Sequence, residues 1–200
     1  MKELNVGVLA LQGDVKEHYW ALEQASKKFD QKINILLVKQ KDDLKNLDGL
    51  IIPGGESTTI SNLLLEFDMF YKIKKIPNLF GTCAGLILLS KKVEGLEKGQ
   101  KTLGLMDIKV KRNAYGSQVD SFYAKLEGKI LDEKEVAFIR APIIKDIYKN
   151  VNVLSKIKNT SNIVIVEQKT KTNYLLGSSC HPELDYFELE EYFLKKILNK

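Results

Sequence analysis

The stretch "GLIIPGGESTTISNLLLEFDMFYKIKK", residues 49 to 75, decides how this chain is read. A short apolar run stops at Pro-Gly-Gly, a strong turn signal, and a helical stretch follows. The same order recurs on either side. Upstream, "LNVGVLA" (4 to 10) ends at Leu11-Gln12-Gly13, and Asp14 stands as N-cap to the helix-like "VKEHYWALEQASKKF". "INILLV" (33 to 38) is another strand, with a short polar helix or turn after it. Downstream, "NLFGT" (78 to 82) precedes the helical "AGLILLSKK" (84 to 92). Short apolar strands alternating with helices imply a parallel sheet covered by helices on both faces.

The second half changes character. "LGLMDIKVKR", "QVDSFYAKL", "EVAFIRAP", "VNVLSKIK", "NIVIVEQ" and "YLLGSSCHP" are strand-like, with a short helical candidate around 143 to 149, and they imply antiparallel additions to the sheet. The closing "DYFELEEYFLKKILN" places apolar residues at 186, 187, 189, 193, 194 and 197, a helical stripe read as core packing. Without a repeat, a low-complexity stretch or a Pro/Gly-rich linker, the expectation is one α/β domain over residues 1–200.

Composition narrows the function classes. No apolar run is long enough to span a membrane, and the first residues reach a charge too soon for a signal peptide, so a cytoplasmic protein with no membrane partner is expected. The formal charge is +5, but the lysines are scattered and form no aromatic-interleaved basic stripe, so nucleic acid is not an expected partner. Of 31 basic residues only two, Arg112 and Arg140, are arginine. In a lysine-rich chain they are candidates for work that needs a planar fork, such as bidentate carboxylate binding, with structural ion pairs as the alternative. The two cysteines, Cys83 and Cys180, fit neither a disulfide framework nor a CxxC metal pattern.

Ligands of open α/β sheets gather beyond the carboxyl ends of the strands. Four segments lie there: Gln12-Gly13, "PGGES" (53 to 57), "GTCAG" (81 to 85) and "CHPEL" (180 to 184). Gly81-x-Cys83-x-Gly85 between strand and helix has the form of a nucleophile elbow, whose small flanking residues let a strained turn project the reactive atom. A thiol nucleophile needs a base, and the chain has two histidines. His18 lies mid-helix and is read as an ordinary packed or exposed side chain. His181 precedes Pro182, which favours an extended backbone, so His181 and Glu183 would share a face as base and orienting carboxylate. Cys180, facing the other way, is read as a buried structural thiol. The Gly54-Gly55 strand end can present a backbone N–H to an oxyanion, or simply turn the chain. Together these point to acyl transfer through a thioester, with no metal or cofactor.

With these residues assembled, the chain resembles the class I, or triad, glutamine amidotransferases, and among them the glutaminase subunits of pyridoxal 5′-phosphate synthase. The resemblance runs through "GVLALQGDVKEH" (7 to 18), "GLIIPGGESTTI" (49 to 60), "GTCAGLILLS" (81 to 90), "RNAYGSQVDSF" (112 to 122), "AFIRAP" (137 to 142) and "HPEL" (181 to 184). It implies a three-layer, flavodoxin-like fold: an open, mostly parallel sheet with added antiparallel strands. It also implies Cys83 as nucleophile, His181 as general base and acid, and Glu183 as orienting residue. L-Glutamine would be bound by Gly54, Gly55, Glu56, Arg112, Ile139 and Arg140, with backbone amides of Gly55 and Ala84 as the oxyanion hole. The implied partner is a (β/α)8 synthase subunit that receives the ammonia in a hetero-oligomer and switches on the glutaminase by rearranging the oxyanion loop, with Gln12 and the start of the first helix as its contact. Many members carry arginine where this chain has Ser117. Rival readings are the glutaminase of another class I amidotransferase, a stand-alone cysteine hydrolase of the same fold, and a non-catalytic binding module.

Overall fold

The computed structural model describes residues 3–112 and 121–199, so Ser117 and most of the "RNAYG" segment lie outside the described residues. Its order is β1 (Leu4–Leu9), α1 (Val15–Ser26), β2 (Ile33–Val38), a 3-10 turn, β3 (Gly49–Ile52), α2 (Ser57–Glu66), α3 (Phe70–Ile73), β4 (Asn78–Thr82), α4 (Ala84–Leu89), β5 (Ser90–Glu94), β6 (Met106–Lys111), β7 (Phe122–Gly128), β8 (Glu135–Phe138), β9 (Ile143–Ile147), β10 (Val151–Ile157), β11 (Ile163–Lys169), β12 (Tyr174–Ser178) and α5 (Glu188–Leu198).

Nine strands form the main sheet in the order β2-β1-β3-β4-β12-β11-β10-β7-β8. The first five run parallel in the flavodoxin-like order, and the last four are antiparallel to their neighbours. Central strands read as unbroken apolar runs because both faces are buried. Alternate residues feed two cores. Ile51, Phe80 and Leu176 pack with Leu22 of α1 and with Leu189, Phe193 and Ile197 of α5. Leu50, Ile52, Leu79 and Leu175 pack on the other face with Ile60 and Leu64 of α2, Ile73 of α3 and Leu88 of α4. The three-layer α/β fold follows, and no helix among the described residues is long and apolar enough to cross a membrane.

Four local expectations are corrected. The helical stretch 57 to 75 is two helices, interrupted where Asp68 adopts a left-handed backbone (φ 53°). The helix expected over 84 to 92 ends at Leu89. Ser90 turns extended, its hydroxyl donating to the Leu86 carbonyl at 2.7 Å, and the chain continues as β5. The helical candidate at 143 to 149 is strand β9, which joins β5 and β6 in a separate three-stranded sheet over the α2–α4 face. Asp14 precedes α1 as expected, but its side chain does not cap the helix.

An isolated antiparallel bridge pairs Ala137 of β8 with His181, and the His181 amide donates to the Ala137 carbonyl at 2.9 Å. The antiparallel half therefore curls back, and its far edge returns to the carboxyl ends of the parallel strands. That return sets the residues after β8 beside the segment after β12.

Candidate active site

The segments after β1, β3, β4, β6, β8 and β12 enclose a cavity of about 150 Å³ lined by Asp14, Gly55, Glu56, Ser57, Cys83, Ile87, Arg112, Ile139, Arg140 and His181. Segments scattered over the chain from residue 14 to 181 thus meet at one sheet end, at and beside the point where strand order reverses.

Cys83 sits between β4 and α4 with φ 45° and ψ −99°. A non-glycine residue there costs on the order of 1–3 kcal/mol, and only an over-determining surround keeps it. The surround is backbone. A Cβ on Gly81 would come within 2.5–2.9 Å of Gly85 and Leu86 backbone atoms, and one on Gly85 would overlap the Ile52 carbonyl oxygen. The elbow expected from Gly-x-Cys-x-Gly is therefore present, and its glycines are imposed by strand–helix contact. Cys83 Sγ lies 3.9 Å from the Ile139 carbonyl oxygen, in reach to donate to it. Ala84 begins α4, whose first-turn amides lack intrahelical partners.

His181 Nδ1 lies 3.0 Å from Glu183 Oε1. The pair forms as expected, but by a different local geometry: Glu183 stands in a 3-10 turn, Pro182–Leu184, not in an extended chain. The same Nδ1 lies 3.1 Å from Asp14 Oδ2, so one imidazole nitrogen faces two carboxylates. Burial works to lower the His181 pKa, and the interactions with Asp14, Cys83 and Glu183 outweigh it and hold it well above the usual value. His181 in turn holds the Asp14 carboxyl below the usual carboxylate range. Nε2, buried, has no hydrogen-bond partner among the described residues. Cys180 is fully buried against Ser178, and burial pushes its thiol up to about 12.

The turn after β3 is tied to the turn after β1. The Asp14 amide donates to the Gly54 carbonyl at 3.1 Å, and Gln12 Oε1 accepts from the Glu56 amide at 2.8 Å. Gly55 has φ +147° and a Cβ there would lie 2.5 Å from Gln12 Oε1. Gln12, expected at a partner contact, is thus engaged inside the chain. Glu56 caps α2, accepting from the Thr58 and Thr59 amides at 3.1 and 2.6 Å; burial raises its pKa, but these bonds prevail and lower it.

The two arginines differ. Arg112 is nearly buried and spends Nη1 on Gln100 Oε1 (2.7 Å) and the Gly95 carbonyl (3.1 Å), and Nη2 on Glu56 Oε1 (3.2 Å) and Thr58 Oγ1 (3.3 Å). Its Nε is the donor left over among the described residues. Arg140 is exposed, has φ 46°, and pairs with no side chain among the described residues. Ile139 beside it is exposed as well.

Two further residues were not singled out for chemistry by sequence reasoning. Asp14 reads from the sequence as a helix cap. His18 was read as a packed or exposed side chain; it is fully buried and bonds Glu190 and Thr82, each at 2.9 Å. Glu190, on the apolar face of α5, is the signal that could have been seen: a carboxylate inside a hydrophobic stripe needs a partner. Asp14, His181 and Glu183 are the group of three possible metal ligands among the described residues, with ligand atoms within 4.8 Å. Their shared hydrogen bonding to one Nδ1 suits imidazole orientation.

The family model described as "SNO glutamine amidotransferase family" matches residues 8–199. The chain is 42% identical over 202 residues to the "Pyridoxal 5'-phosphate synthase subunit PdxT" of Thermococcus kodakarensis, covering 98% of this chain and 100% of the relative. It is 41% identical over 201 residues to the protein of the same name from Halalkalibacterium halodurans, covering 97% and 95%. A solved structure described as "Crystal structure of glutamine amidotransferase" superposes with a TM-score of 0.80 at 39% identity, covering 96% of this chain and 98% of that one.

Proposed function

Because the chain belongs to the SNO glutamine amidotransferase family, we propose that it is the glutaminase subunit of a pyridoxal 5′-phosphate synthase, hydrolysing L-glutamine to L-glutamate and ammonia through Cys83. The observation that carries the reading is the convergence at one cavity of Cys83 on a strained elbow and His181 backed by Glu183, with Arg140, which pairs with no side chain among the described residues, at its rim.

The chemistry runs as acyl transfer. Cys83 Sγ attacks the side-chain carboxamide carbon of glutamine, and the thiol proton passes by way of His181 to the nitrogen, which leaves as ammonia. His181 then takes a proton from water, the hydroxide cleaves the γ-glutamyl thioester, and the thiol is restored. Glu183 holds the imidazole by Nδ1, so that Nε2 faces the reacting atoms. The amide of Gly55, in the Gly54–Gly55 turn, and that of Ala84 serve the oxyanion. Arg140 meets the substrate α-carboxylate with a free fork, while Gly54, Glu56, Arg112 and Ile139 shape the walls. No cofactor takes part in these steps.

The Gly54 carbonyl bonded to the Asp14 amide, and Glu56 bonded to Gln12, hold that turn from the side of α1. A docking (β/α)8 synthase subunit acting on the start of α1 would release it, and would receive the ammonia in a hetero-oligomer. The two cores on either face of one sheet support reading residues 1–200 as one domain, and the reading places the enzyme in the cytoplasm with its synthase.

The test is glutamate release with and without a pyridoxal 5′-phosphate synthase subunit. Activity that rises on adding that subunit, and falls about 10³-fold or more in Cys83→Ala, supports the reading. Full activity in Cys83→Ala would overturn the nucleophile, and an equal rate with and without the synthase would overturn the partner.

A further inference from the structure

His18 stands behind the site, fully buried with Glu183 and Glu190. Its Nδ1 meets Glu190 Oε1 at 2.9 Å, and its Nε2 lies 2.9 Å from Thr82 Oγ1 and 3.5 Å from Glu183 Oε1. One carboxylate oxygen of Glu183 is thus approached by two imidazoles, His181 at 3.0 Å and His18 at 3.5 Å. Thr82 immediately precedes Cys83, so His18 joins the elbow, the orienting carboxylate and α5 in one side-chain cluster.

We propose that His18 is a positioning residue of the glutaminase: clamped by Glu190, it sets a buried imidazolium against Glu183 and so fixes the carboxylate that orients His181. The inference rests on the reading of His181 and Glu183 given above. Charge balance is its main support. The titratable groups facing His18 are Glu190 from α5, Glu183 and His181 from the segment after β12, and Asp14 one turn earlier at the head of α1. No lysine or arginine pairs with Glu183 or Glu190 among the described residues, so the imidazoles are the cations at hand. A buried carboxylate without a counter-charge is strongly unfavourable. Burial by itself lowers the His18 pKa, yet the Glu183 charge and the bond to Glu190 outweigh it and raise it. Burial also pushes Glu190 up, so the pair keeps the proton it shares. A histidine serving only as packing would be neutral, donating one N–H and accepting at the other nitrogen.

The chain's two histidines make the test direct. In ring-¹⁵N-histidine protein, His181→Asn leaves a single imidazole and assigns both signals. The expected result is a His18 ring that stays protonated on both nitrogens above the ordinary histidine value, because the Glu183 charge and the bond to Glu190 outweigh burial. Glu190→Gln keeps an acceptor for Nδ1–H but removes the charge. It should let His18 titrate near neutral pH and move the His181 midpoint upward. With the synthase present it should lower kcat about ten-fold or more, leave KM within about two-fold, and shift the pH profile of kcat with that midpoint. A neutral His18 at pH 6.5 in the unmodified protein, or a Glu190→Gln enzyme with unchanged kcat and pH profile, would overturn the proposal. Should Glu190→Gln fail to fold by circular dichroism, the wild-type spectrum alone decides. Full activity of Cys83→Ala would sink the site reading while leaving the His18 charge state as measured, so the two failures are distinguishable.

Discussion

Replacing each arginine by lysine separates a guanidinium that holds the protein together from one that the proposed function assigns to substrate. The Arg112 side chain is 7% exposed and serves four acceptors at 2.7, 3.1, 3.2 and 3.3 Å on Gln100, Gly95, Glu56 and Thr58. A lysine ammonium is a point donor on a flexible stem and cannot span four residues, so at least two of these bonds are lost. At about 1–1.5 kcal/mol each, Arg112→Lys should cost about 2–3 kcal/mol of stability. Arg140 has no such partners among the described residues, so Arg140→Lys should change stability by no more than about 0.5 kcal/mol. Against the glutamine α-carboxylate, which the proposed function assigns to it, Arg140→Lys would give up one bond of a bidentate pair. A charge-assisted bond is worth about 1.5–3 kcal/mol, which converts to a rise of roughly 10- to 150-fold in KM. The assays are urea unfolding of each variant and steady-state glutamine hydrolysis with the synthase present. An unchanged KM in Arg140→Lys, or wild-type stability in Arg112→Lys, would refute this division of labour.

Three other outcomes are expected. Iodoacetamide at pH 8 should label Cys83 and not Cys180, whose thiol burial has pushed up to about 12; mass spectrometry after digestion reads this, and Cys180→Ala should keep its glutaminase activity. Asp14→Asn should lower the His181 pKa, because one of two carboxylates on Nδ1 is gone. In the wild type, a His181 value raised above 6.5 contributes stability that is fully present below 6.5 and lost as pH rises through the folded value. Asp14 itself, held below 3.8, loses its share only in stronger acid. The Asp14→Asn deficit in melting temperature should therefore be largest between these limits and shrink on the alkaline side; a deficit that grows with pH would contradict the assignment. Gly85→Ala should cost about 3 kcal/mol or more, since its methyl meets the Ile52 backbone and not a yielding side chain, and a shift in the urea midpoint measures it.

Much of the fold was legible because its signals are local. The runs at 4 to 10, 49 to 52 and 78 to 82 are almost wholly apolar since both faces of a central strand are buried, and glycine turns mark where they stop. Cys83 was legible for the same reason: the elbow needs small residues two before and two after it, and those are adjacent in sequence. The misread pieces were those where tertiary contact outweighs local preference. Residues 143 to 147 have no helix stop signal, yet pairing with β6 makes them a strand. The segment 57 to 75 is helical in composition throughout, yet a left-handed Asp68 divides it.

The sequence by itself determined the alternation of strands and helices, the elbow, the His-x-Glu pair and the scarcity of arginine, because each is a matter of neighbours in the chain. It did not assign work to the second histidine or to Asp14, and it did not tell the arginine that bonds four neighbours from the one that pairs with no side chain among the described residues. Those depend on residues far apart in the chain: His18 lies 172 positions from Glu190, and Arg112 lies 56 from Glu56. Only when α5 packs beside α1 does Glu190 meet the buried His18, and only when the antiparallel half curls back to pair Ala137 with His181 does His181 stand over the same cluster. There, removal of water makes each partner's charge count, and a buried histidine that sequence reads as filler becomes a counter-ion.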